Sequence, residues 1–539
     1  MKKAFVRLLA FLLVLAMSFS MIACGAKDQP EDTPAAPSPS EEASSNTPAE
    51  PEVEEREYVE LIFYTHVPKV TAGYEQTMAA VNEYLKEKLN TTVDFRIYDQ
   101  GVYKDTVVPA FQAGDDMDCL LVGSTGVDFT SNVVKNAFID ISDYIDTYLP
   151  GTKAQLPEAA WEAYSYQDGV YGICSIKDLS NQLGIYTNDT LLNDLGVEFP
   201  ADTYYTWKDL VSFFYEVQEA RDAKYPEKAG KPLLDIREAG MCFYYDFYDF
   251  FVGGYNDPLV ITGIPGLQDY EGVKSGEEVT SYFYTEEFRE YCEIIKGFRD
   301  NGIVQFEYSP EEYTSLADGD AIGGIVWGDL SVTREGRGFN FDPTMHYAKA
   351  ATLATSGMLA AGFALPQQCS NVERTLEVIE LLNTDEYLAT LMHFGEEGVG
   401  WTDNDNDGVL EFEGTENDPN NEAGRWWYNW YGFAIGAMTA SKAPAGYPAD
   451  FADRVYEMNT NGVDSGNLGF TFDATNVQTE LAACNSVVSE YMSILSYGTA
   501  SDLDATIDEF VNKLKANGLD TIIAECQTQL TEWRTANGK

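Results

Sequence analysis

Apolar positions between residues 58 and 90 follow two different spacings, which predict a strand and then a helix. Val59 to Tyr64 is a mostly apolar run that predicts a buried strand. Apolar residues then recur every three or four positions, which predicts one buried helix face, at Met78, Val81, Leu85 and Leu89. Asn90 follows as the predicted end of this helix.

The same alternation continues to residue 122 and predicts a fold class. A second strand is predicted by apolar residues at every other position, namely Val93, Phe95 and Ile97. Residues 107–111 favour another helix, and residues 119–122 form a short buried strand. Repeated strand and helix predict a parallel α/β sheet with right-handed crossovers. Ligands of such sheets lie at the carboxyl ends of strands, here the loops beginning at Thr65 and Gly123.

Further elements are predicted beyond residue 180. Strands are expected at residues 184–189 and 359–365, the latter followed by a long apolar-faced helix. Thr285 precedes a helix with a regular apolar face, formed by Phe288, Tyr291, Ile295 and Phe298. Two helices between Leu503 and Trp533 break at Asn517. About 480 residues are too many for one core, so two or more lobes are expected.

The N-terminus carries a targeting segment, predicted over residues 1–23. Lys2, Lys3 and Arg7 precede an apolar run that is shorter than the ~20 residues a bilayer crossing needs. Met21 to Cys24 resembles the bacterial lipobox, which implies that Cys24 is acylated and becomes the new N-terminus. The alternative is a plain secretory signal with an incidental cysteine. Residues 24–56 are rich in Pro, Ser, Ala and Glu, which predicts a disordered linker.

Composition excludes some partners and one kind of scaffold. The protein has a formal charge of -54 over 539 residues. Its overall electrostatic field therefore argues against binding of nucleic acid or anionic glycans. Seven cysteines beyond Cys24 include no C-x-x-C pair, which predicts buried thiols in place of a disulfide framework or zinc site. The sequence does not decide whether one disulfide bond forms among the seven, which are Cys119, Cys174, Cys242, Cys292, Cys369, Cys484 and Cys526.

Residues 403–411 have the D-x-D-x-D-G form of a calcium loop. Alternate carboxylates converge as the chain winds, and Gly408 permits the sharp turn. The twelfth position is Gly414 in place of a bidentate Glu, so Glu413 and Glu416 are alternatives to Glu411. The other interpretation is a solvated loop of Asn and Asp turns. The predicted ligands of a structural Ca²⁺ are Asp403, Asp405, Asp407, the Val409 carbonyl and Glu411.

Several segments in order along the chain carry a family resemblance. They are Phe111 to Asp118, Asp168 to Ile173, Thr187 to Leu192, Thr206 to Leu210, Tyr284 to Phe288, Asp300 to Val304, and Asn517 to Leu530. Together they resemble the extracellular solute-binding lipoproteins of bacterial ABC importers, specifically the large sugar-type, family 1 or LplA-like proteins of Gram-positive bacteria. Thr187 departs from the usual Tyr, and Cys174 stands where a Pro is common.

The resemblance implies a fold, a function and a location. The fold is α/β, a two-lobed periplasmic-binding-protein-like fold of type II with a multi-crossing hinge. Lobe 1 would comprise residues 57–173 and 357–400, and lobe 2 residues 174–356 and 401–539. The resemblance also implies that the protein is monomeric, is not an enzyme, and is lipid-anchored on the extracellular face of the membrane. It would deliver a carbohydrate, in particular an oligosaccharide, to ABC transporter permease subunits.

The chain is rich in the side chains that bind sugars. Aromatic rings pack against sugar C–H faces, while sugar hydroxyls need carboxylates and amides. Residues 425–431 form the densest aromatic cluster, and helical spacing would place Trp427 and Tyr431 on one face. Ordinary core packing is the alternative for each ring. The ligand candidates are Tyr64, His66, Tyr255, Trp327, Asp329, Trp401, Trp427 and Tyr431.

Two other functions stay open at this point. An extracellular glycosidase needs two carboxylates across a groove, and no pair stands out among the many acids. Motifs of the G-x-S-x-G, H-E-x-x-H and P-loop types do not occur in the sequence. A binder of peptide or another small solute on the same scaffold differs only in its ligand.

Overall fold

A computed structural model describes residues 56–124, 126–180, 183–200, 207–235, 248–253, 258–264, 276–304, 321–327, 339–347, 351–421, 423–429 and 436–539. The predicted signal peptide, Cys24 and the linker up to residue 55 lie outside this part of the chain. Among the described residues, none of the helices combines the length and apolarity that crossing a membrane requires.

The first sheet begins as the sequence predicts. Strands β1, β2 and β3 lie parallel in it, and helices α1 and α2 connect them in turn. The five strands are ordered β2-β1-β3-β14-β6, where β14 alone is reversed and pairs antiparallel with both β3 and β6. Their bounds are β1 Val59–Val67, α1 Tyr74–Leu89, β2 Thr91–Asp99, α2 Gln100–Ala113, β3 Cys119–Val122, β6 Ile173–Cys174 and β14 Gly362–Ala364.

Helix α1 shows why the local pattern was sufficient here. Its four periodic apolar residues are all buried, and they form the face that packs on the sheet. Asn90 ends the helix in the left-handed conformation and donates its backbone N–H to Lys86. The prediction of this helix and its end is therefore confirmed.

Short elements connect the first sheet to the second. They are helices α3 Phe129–Val133, α4 Ile145–Tyr148, α5 Pro150–Gln155 and α6 Glu158–Ala163, and strands β4 Ser165–Tyr166 and β5 Gly169–Val170. The β4 and β5 strands form a two-stranded antiparallel hairpin.

The second sheet has four strands in the order β12-β7-β11-β8. β7 pairs antiparallel with both β11 and β12, while β8 runs parallel to β11. The elements of this region are β7 Leu183–Thr187, α7 Asp189–Leu195, α8 Trp207–Lys224, β8 Leu234–Asp235, β9 Tyr248–Val252, β10 Val260–Gly263, α9 Glu286–Asp300, β11 Gly323–Trp327 and β12 Thr344–Tyr347.

Helix α9 confirms the predicted helix after Thr285. The hydroxyl of Thr285 accepts the backbone N–H of Phe288 at 3.2 Å, which caps the first turn. The predicted apolar face of this helix is buried in a core shared with the C-terminal helices.

The remaining elements complete both cores. They are β13 Thr352–Leu353, α10 Thr355–Met358, α11 Val372–Thr384, α12 Glu386–Phe394, β15 Val409–Leu410, β16 Ala443–Pro444, α13 Phe451–Thr460, β17 Val463–Asp464, α14 Gln478–Ser496, α15 Leu503–Ala516 and α16 Leu519–Asn537. The break predicted at Asn517 separates α15 from α16, as expected.

Two details of the prediction are wrong in this region. The strand expected over residues 359–365 is only β14, because residues 359–361 form a turn that continues from α10. The single long helix expected after it is two helices, because the side chain of Asp385 accepts the N–H of Leu388 and starts α12.

The buried apolar residues of the described chain form two large cores. The first core contains residues between 61 and 179 and between 353 and 392, with Trp427, Ala437 and Leu468. The second core contains residues between 185 and 304, Ile322 and residues between 470 and 530. Trp427 and Ala437 thus pack with the first core, although the predicted boundary assigned residues from 401 onward to lobe 2.

Six cysteines lie in the described residues, and all six are free thiols. Five are buried, and burial raises the pKa of Cys174 to about 12. Cys242 lies outside the described residues.

Candidate functional site

Tyr64 and His66 lie near the carboxyl end of β1, where the sheet topology predicted a site. Tyr64 is 4% exposed, and its ring stacks on that of Tyr98 with centroids 6.3 Å apart. The Arg96 guanidinium lies 5.1 Å from the centre of the Tyr64 ring and donates a hydrogen bond to its hydroxyl. Tyr64 therefore packs inside this edge and supports its partners, which are themselves half-buried.

His66, two residues beyond Tyr64 on the same face of β1, is fully buried. Its ring meets the edge of Tyr103, with centroids 5.3 Å apart. Burial lowers the pKa of His66 to about 4. The imidazole is therefore neutral near pH 7 and belongs to the interior.

The side chains that reach the surface at this edge are Arg96 and Tyr98, which the sequence analysis missed. Both are half-buried and lie on β2 in register with Tyr64 and His66. The signal was present in the alternation of β2, where the odd-numbered positions 91–97 are buried and the even-numbered ones are not. The accessible side chains at this edge therefore belong to β2 and not, as predicted, to β1.

Trp427 and Trp401 use their indole groups within the fold. Trp427 is 1% exposed and donates its indole N–H to the carbonyl of Met392 at 2.9 Å. Trp401 is 6% exposed and donates its indole N–H to Gly395 at 2.9 Å. Both carbonyls lie at the C-terminal end of α12, where helix carbonyls lack partners within the helix.

The carbonyls of His393 and Phe394, which lie between those of Met392 and Gly395, also accept hydrogen bonds. The backbone N–H of Asn429 donates to His393 at 2.7 Å, and the amide of Asn417 donates to Phe394 at 2.9 Å. Four successive carbonyls at the end of α12 are thus satisfied by residues 401–429. In this structure the two tryptophans complete a helix end, and their rings leave almost no surface for a ligand.

Residues 423–429 do not form the helix that the aromatic spacing indicated. This segment instead lies against the loop after β1, where Gly73 donates its N–H to the carbonyl of Trp426 at 2.8 Å. A Cβ at Gly73 would lie 2.6 Å from the Trp426 ring, so the contact requires glycine. Arg425 stacks over Tyr428 at 3.7 Å from the ring centre. The structure thus brings the aromatic segment to the loop where the sheet topology predicted a ligand.

Four ligand candidates are not described. Tyr255, Asp329 and Tyr431 lie outside the described residues, and Trp327 ends β11 without a described side chain.

The acidic loop gathers three of its predicted metal ligands. One carboxylate oxygen from each of Asp403, Asp405 and Asp407 lies within 4.8 Å of the others. The turn is set by hydrogen bonds from the backbone to the carboxylates, because Oδ1 of Asp405 accepts the N–H of Asp407 at 3.3 Å and Oδ1 of Asp407 accepts that of Val409 at 2.8 Å. Oxygen ligands at this spacing fit a calcium ion.

The loop is closed by short strand pairings. Thr402 and Glu411 exchange backbone hydrogen bonds, and β15 then pairs with β16. Asn406 and Gly408 adopt positive φ of 57° and 85°, which allows the tight winding between these pairings. Glu411 does not join the three aspartates, because its carboxylate accepts the backbone N–H of Asn404 at 3.2 Å and its side-chain amide at 2.5 Å.

Asp403 differs from the other two aspartates in its surroundings. Its side chain is 6% exposed and forms an ion pair with Lys442, with Oδ2 and Nζ 2.8 Å apart. This ion pair lowers the pKa of Asp403. The same hydrogen bond, which Lys442 donates to Asp403, raises the pKa of Lys442.

A family model and known proteins match this chain. Residues 467–535 match a domain of unknown function, DUF3502. A curated relative from Streptococcus pneumoniae serotype 4, named carbohydrate ABC transporter substrate-binding protein, is 20% identical over 478 residues, which are 85% of this chain and 88% of the relative.

Solved structures share the fold. The N-glycan transport solute-binding protein NgtS of Streptococcus pneumoniae aligns with a TM-score of 0.70 and 17% identity, over 90% of this chain and 100% of that one. The FusA substrate-binding protein of S. pneumoniae, in complex with kestose, aligns with a TM-score of 0.56 and 14% identity, over 88% of this chain and 100% of that one.

These alignments identify the fold class. The chain has the periplasmic-binding-protein-like α/β fold of the solute-binding proteins, which confirms the predicted class. The resemblance to the solute-binding proteins of ABC importers, inferred from the ordered segments, is confirmed by the relatives that match.

Proposed function

We propose that this protein is an extracellular substrate-binding protein that delivers a carbohydrate, in particular an oligosaccharide, to an ABC transporter permease without altering it. The observation that carries the proposal is the alignment with NgtS over nearly the whole of both chains. The name of the curated relative supports the same function. Two large hydrophobic cores fit a protein whose two halves enclose a ligand.

The carboxyl edge of the first sheet offers suitable chemistry for a sugar. Tyr98 provides a partly exposed ring for C–H packing, and the neighbouring Arg96 provides donors for hydroxyl oxygens. Asp99 follows Tyr98 and is exposed, although one of its oxygens accepts the N–H of Val70 at 2.6 Å. Tyr255, Trp327, Asp329 and Tyr431 remain candidates for the same ligand.

Calorimetric titration with a glycan panel tests the proposal. The panel contains Man5GlcNAc, kestose and a peptide of similar mass, and each mixture is analysed for new products by chromatography. We expect one glycan to bind stoichiometrically and to be recovered intact. Release of a shorter glycan would establish a glycosidase, and binding of the peptide alone would establish a different solute; either result would reject carbohydrate delivery.

The proposal places the protein on the outer face of the membrane of a Gram-positive bacterium, anchored through Cys24. The support is the apolar leader and the lipobox-like Met21 to Cys24 in the sequence. Phase partitioning in a detergent tests the anchor. We expect the wild type and a Cys369→Ser control to enter the detergent phase, and Cys24→Ser to remain in the aqueous phase.

We also propose that the acidic loop binds a structural Ca²⁺. Asp403, Asp405 and Asp407 would hold the ion, with the carbonyl of Val409 as a further oxygen ligand. A bound calcium neutralises mutual repulsion among the carboxylates. Carboxylate oxygens of Asp405 and Asp407 accept the N–H groups of Asp407 and Val409, which sets the turn that gathers the three aspartates.

A further inference from the structure

The acidic loop already holds a cation, the ammonium group of Lys442. Its Nζ lies 2.8 Å from Oδ2 of Asp403, the most buried of the three aspartates. Oδ1 of Asp403 is also buried, and it has no hydrogen-bond partner among the described residues. A buried carboxylate oxygen without a partner is costly, so this side chain is only partly satisfied by the lysine.

The backbone of Lys442 is fixed on both sides. Its N–H donates to the hydroxyl of Thr390 in α12 at 3.0 Å, and the next residue enters β16, which pairs with β15. The ammonium therefore reaches Asp403 from a backbone held at two points, and the side chain is 26% exposed. Asp405 and Asp407 are exposed and belong to the same carboxylate group, in which only Asp403 is paired with the ammonium.

We propose that Lys442 is the internal counter-cation of this loop: it neutralises Asp403 in the metal-free protein and leaves Asp403 when a divalent cation binds. The inference rests on the calcium proposal above and concerns how that site is regulated. Calcium binds carboxylate oxygens at about 2.3–2.6 Å, so an ion on Asp403 would repel an ammonium held at 2.8 Å from the same carboxylate.

The displaced side chain has somewhere to go. An open cavity of about 490 Å³ lies beside the loop, and Lys442, Asp403 and Glu386 all line it. Glu386, in the first turn of α12, offers the ammonium another carboxylate on the wall of this cavity. The Trp401 ring lies 5.5 Å from the ammonium on another side. Glu386 and the Trp401 ring would receive the ammonium after it leaves Asp403.

Calcium titration of three proteins tests this exchange, each freed of metal with a chelator and then measured by calorimetry. Lys442→Gln removes the counter-cation. Lys153→Gln is the matched control, because Lys153 also pairs with a carboxylate, Asp146 at 2.6 Å, but on α5. We expect Lys442→Gln to bind Ca²⁺ about tenfold more tightly than wild type, and Lys153→Gln to bind it within about twofold.

The outcomes separate the two proposals. If wild type binds Ca²⁺ and Lys442→Gln binds equally or more weakly, the counter-cation role is rejected while the calcium site stands. If none of the three proteins binds Ca²⁺, the calcium proposal fails and this inference fails with it.

A second measurement uses only wild type and applies even if the variant does not fold. Amine acetylation of each lysine is followed by mass spectrometry with and without saturating Ca²⁺. We expect labelling of Lys442 to rise severalfold with Ca²⁺, because the ion pair to Asp403 is broken, while labelling of Lys153 stays constant. Unchanged or reduced labelling of Lys442 would reject the exchange.

Discussion

Trp427 donates its indole N–H to the carbonyl oxygen of Met392 at 2.9 Å, and this bond joins residues 35 positions apart at the end of α12. The ring is 1% exposed and lies in the first core. The bond assigns a structural task to a residue that the sequence offered as a sugar contact.

Trp427→Ala should strongly destabilise the protein. Truncation leaves a cavity in the first core and an unsatisfied helix carbonyl, so the free energy of unfolding should fall by about 3–5 kcal/mol. Tyr387→Ala serves as the control, because Tyr387 is 56% exposed; it should change this free energy by about 0.5 kcal/mol or less. Urea denaturation measures both, and equal midpoints would contradict the role of Trp427.

Tyr98→Ala should weaken glycan binding without unfolding the protein. Loss of a stacking ring at the carboxyl edge should lower the affinity about tenfold, equivalent to about 1.4 kcal/mol. Tyr58→Ala is the matched control, since Tyr58 is 48% exposed just before the amino end of the same sheet. Calorimetry with the best glycan of the panel makes the comparison, and equal affinities for both variants would exclude this edge as the binding surface.

His66 should make stability depend on pH. Its pKa in the folded state is lowered to about 4 from 6.5, so the unfolded chain takes up a proton first as the pH falls. The stabilising contribution is present above pH 6.5 and is lost between about 6.5 and 4, by at most about 3 kcal/mol.

The test compares wild type with His66→Gln by chemical denaturation across this range. The difference in free energy of unfolding between the two proteins should shrink as the pH falls toward 4. A difference that stays constant would show that His66 titrates normally in the folded protein.

Asp249 should produce the opposite dependence. Burial raises its pKa to about 7 from 3.8, so the unfolded chain releases the proton first as the pH rises. Stability from this group is present below about pH 4 and is lost as the pH rises to about 7. Asp249→Asn removes the ionisation, and its stability relative to wild type should increase over that interval. A difference in the free energy of unfolding between the two proteins that does not change with pH would contradict this assignment.

Calcium removal should lower the melting temperature through the acidic loop. We expect chelation to destabilise wild type by about 1–3 kcal/mol, an amount set by the free ion concentration relative to Kd. Asp405→Asn combined with Asp407→Asn should abolish the response, because two of three carboxylates are lost. Asp146→Asn, whose side chain is 83% exposed on α4, should respond like wild type. Differential scanning calorimetry of the wild type and both variants, with and without chelator, measures the change in melting temperature.

Local patterns predicted the elements well because each carried its own physical signal. Helix α1 was found from the spacing of its buried face and from Asn90, and β3 from a short apolar run with the bounds that the structure has. The split between α11 and α12 was missed, because an apolar face that continues past Asp385 hides the capping bond that restarts the helix.

The site was less predictable because aromatic content does not reveal what a ring contacts. Trp401 and Trp427 bond to carbonyls that only the folded end of α12 presents, which no sequence spacing indicates. Arg96 and Tyr98 become prominent only once β2 pairs with β1 in register. The three aspartates of the loop were predictable, since their spacing and the following Gly408 are local.

The place of β14 in the first sheet has a consequence for how the protein is made. Ala364 pairs with Leu120, so a strand lying between residues 362 and 364 covers the edge of β3. Synthesis and export both deliver the N-terminus first, and the open edge of β3 therefore waits for about 240 further residues to arrive. An uncovered strand edge attracts other chains, so the nascent protein needs shielding until that late segment emerges.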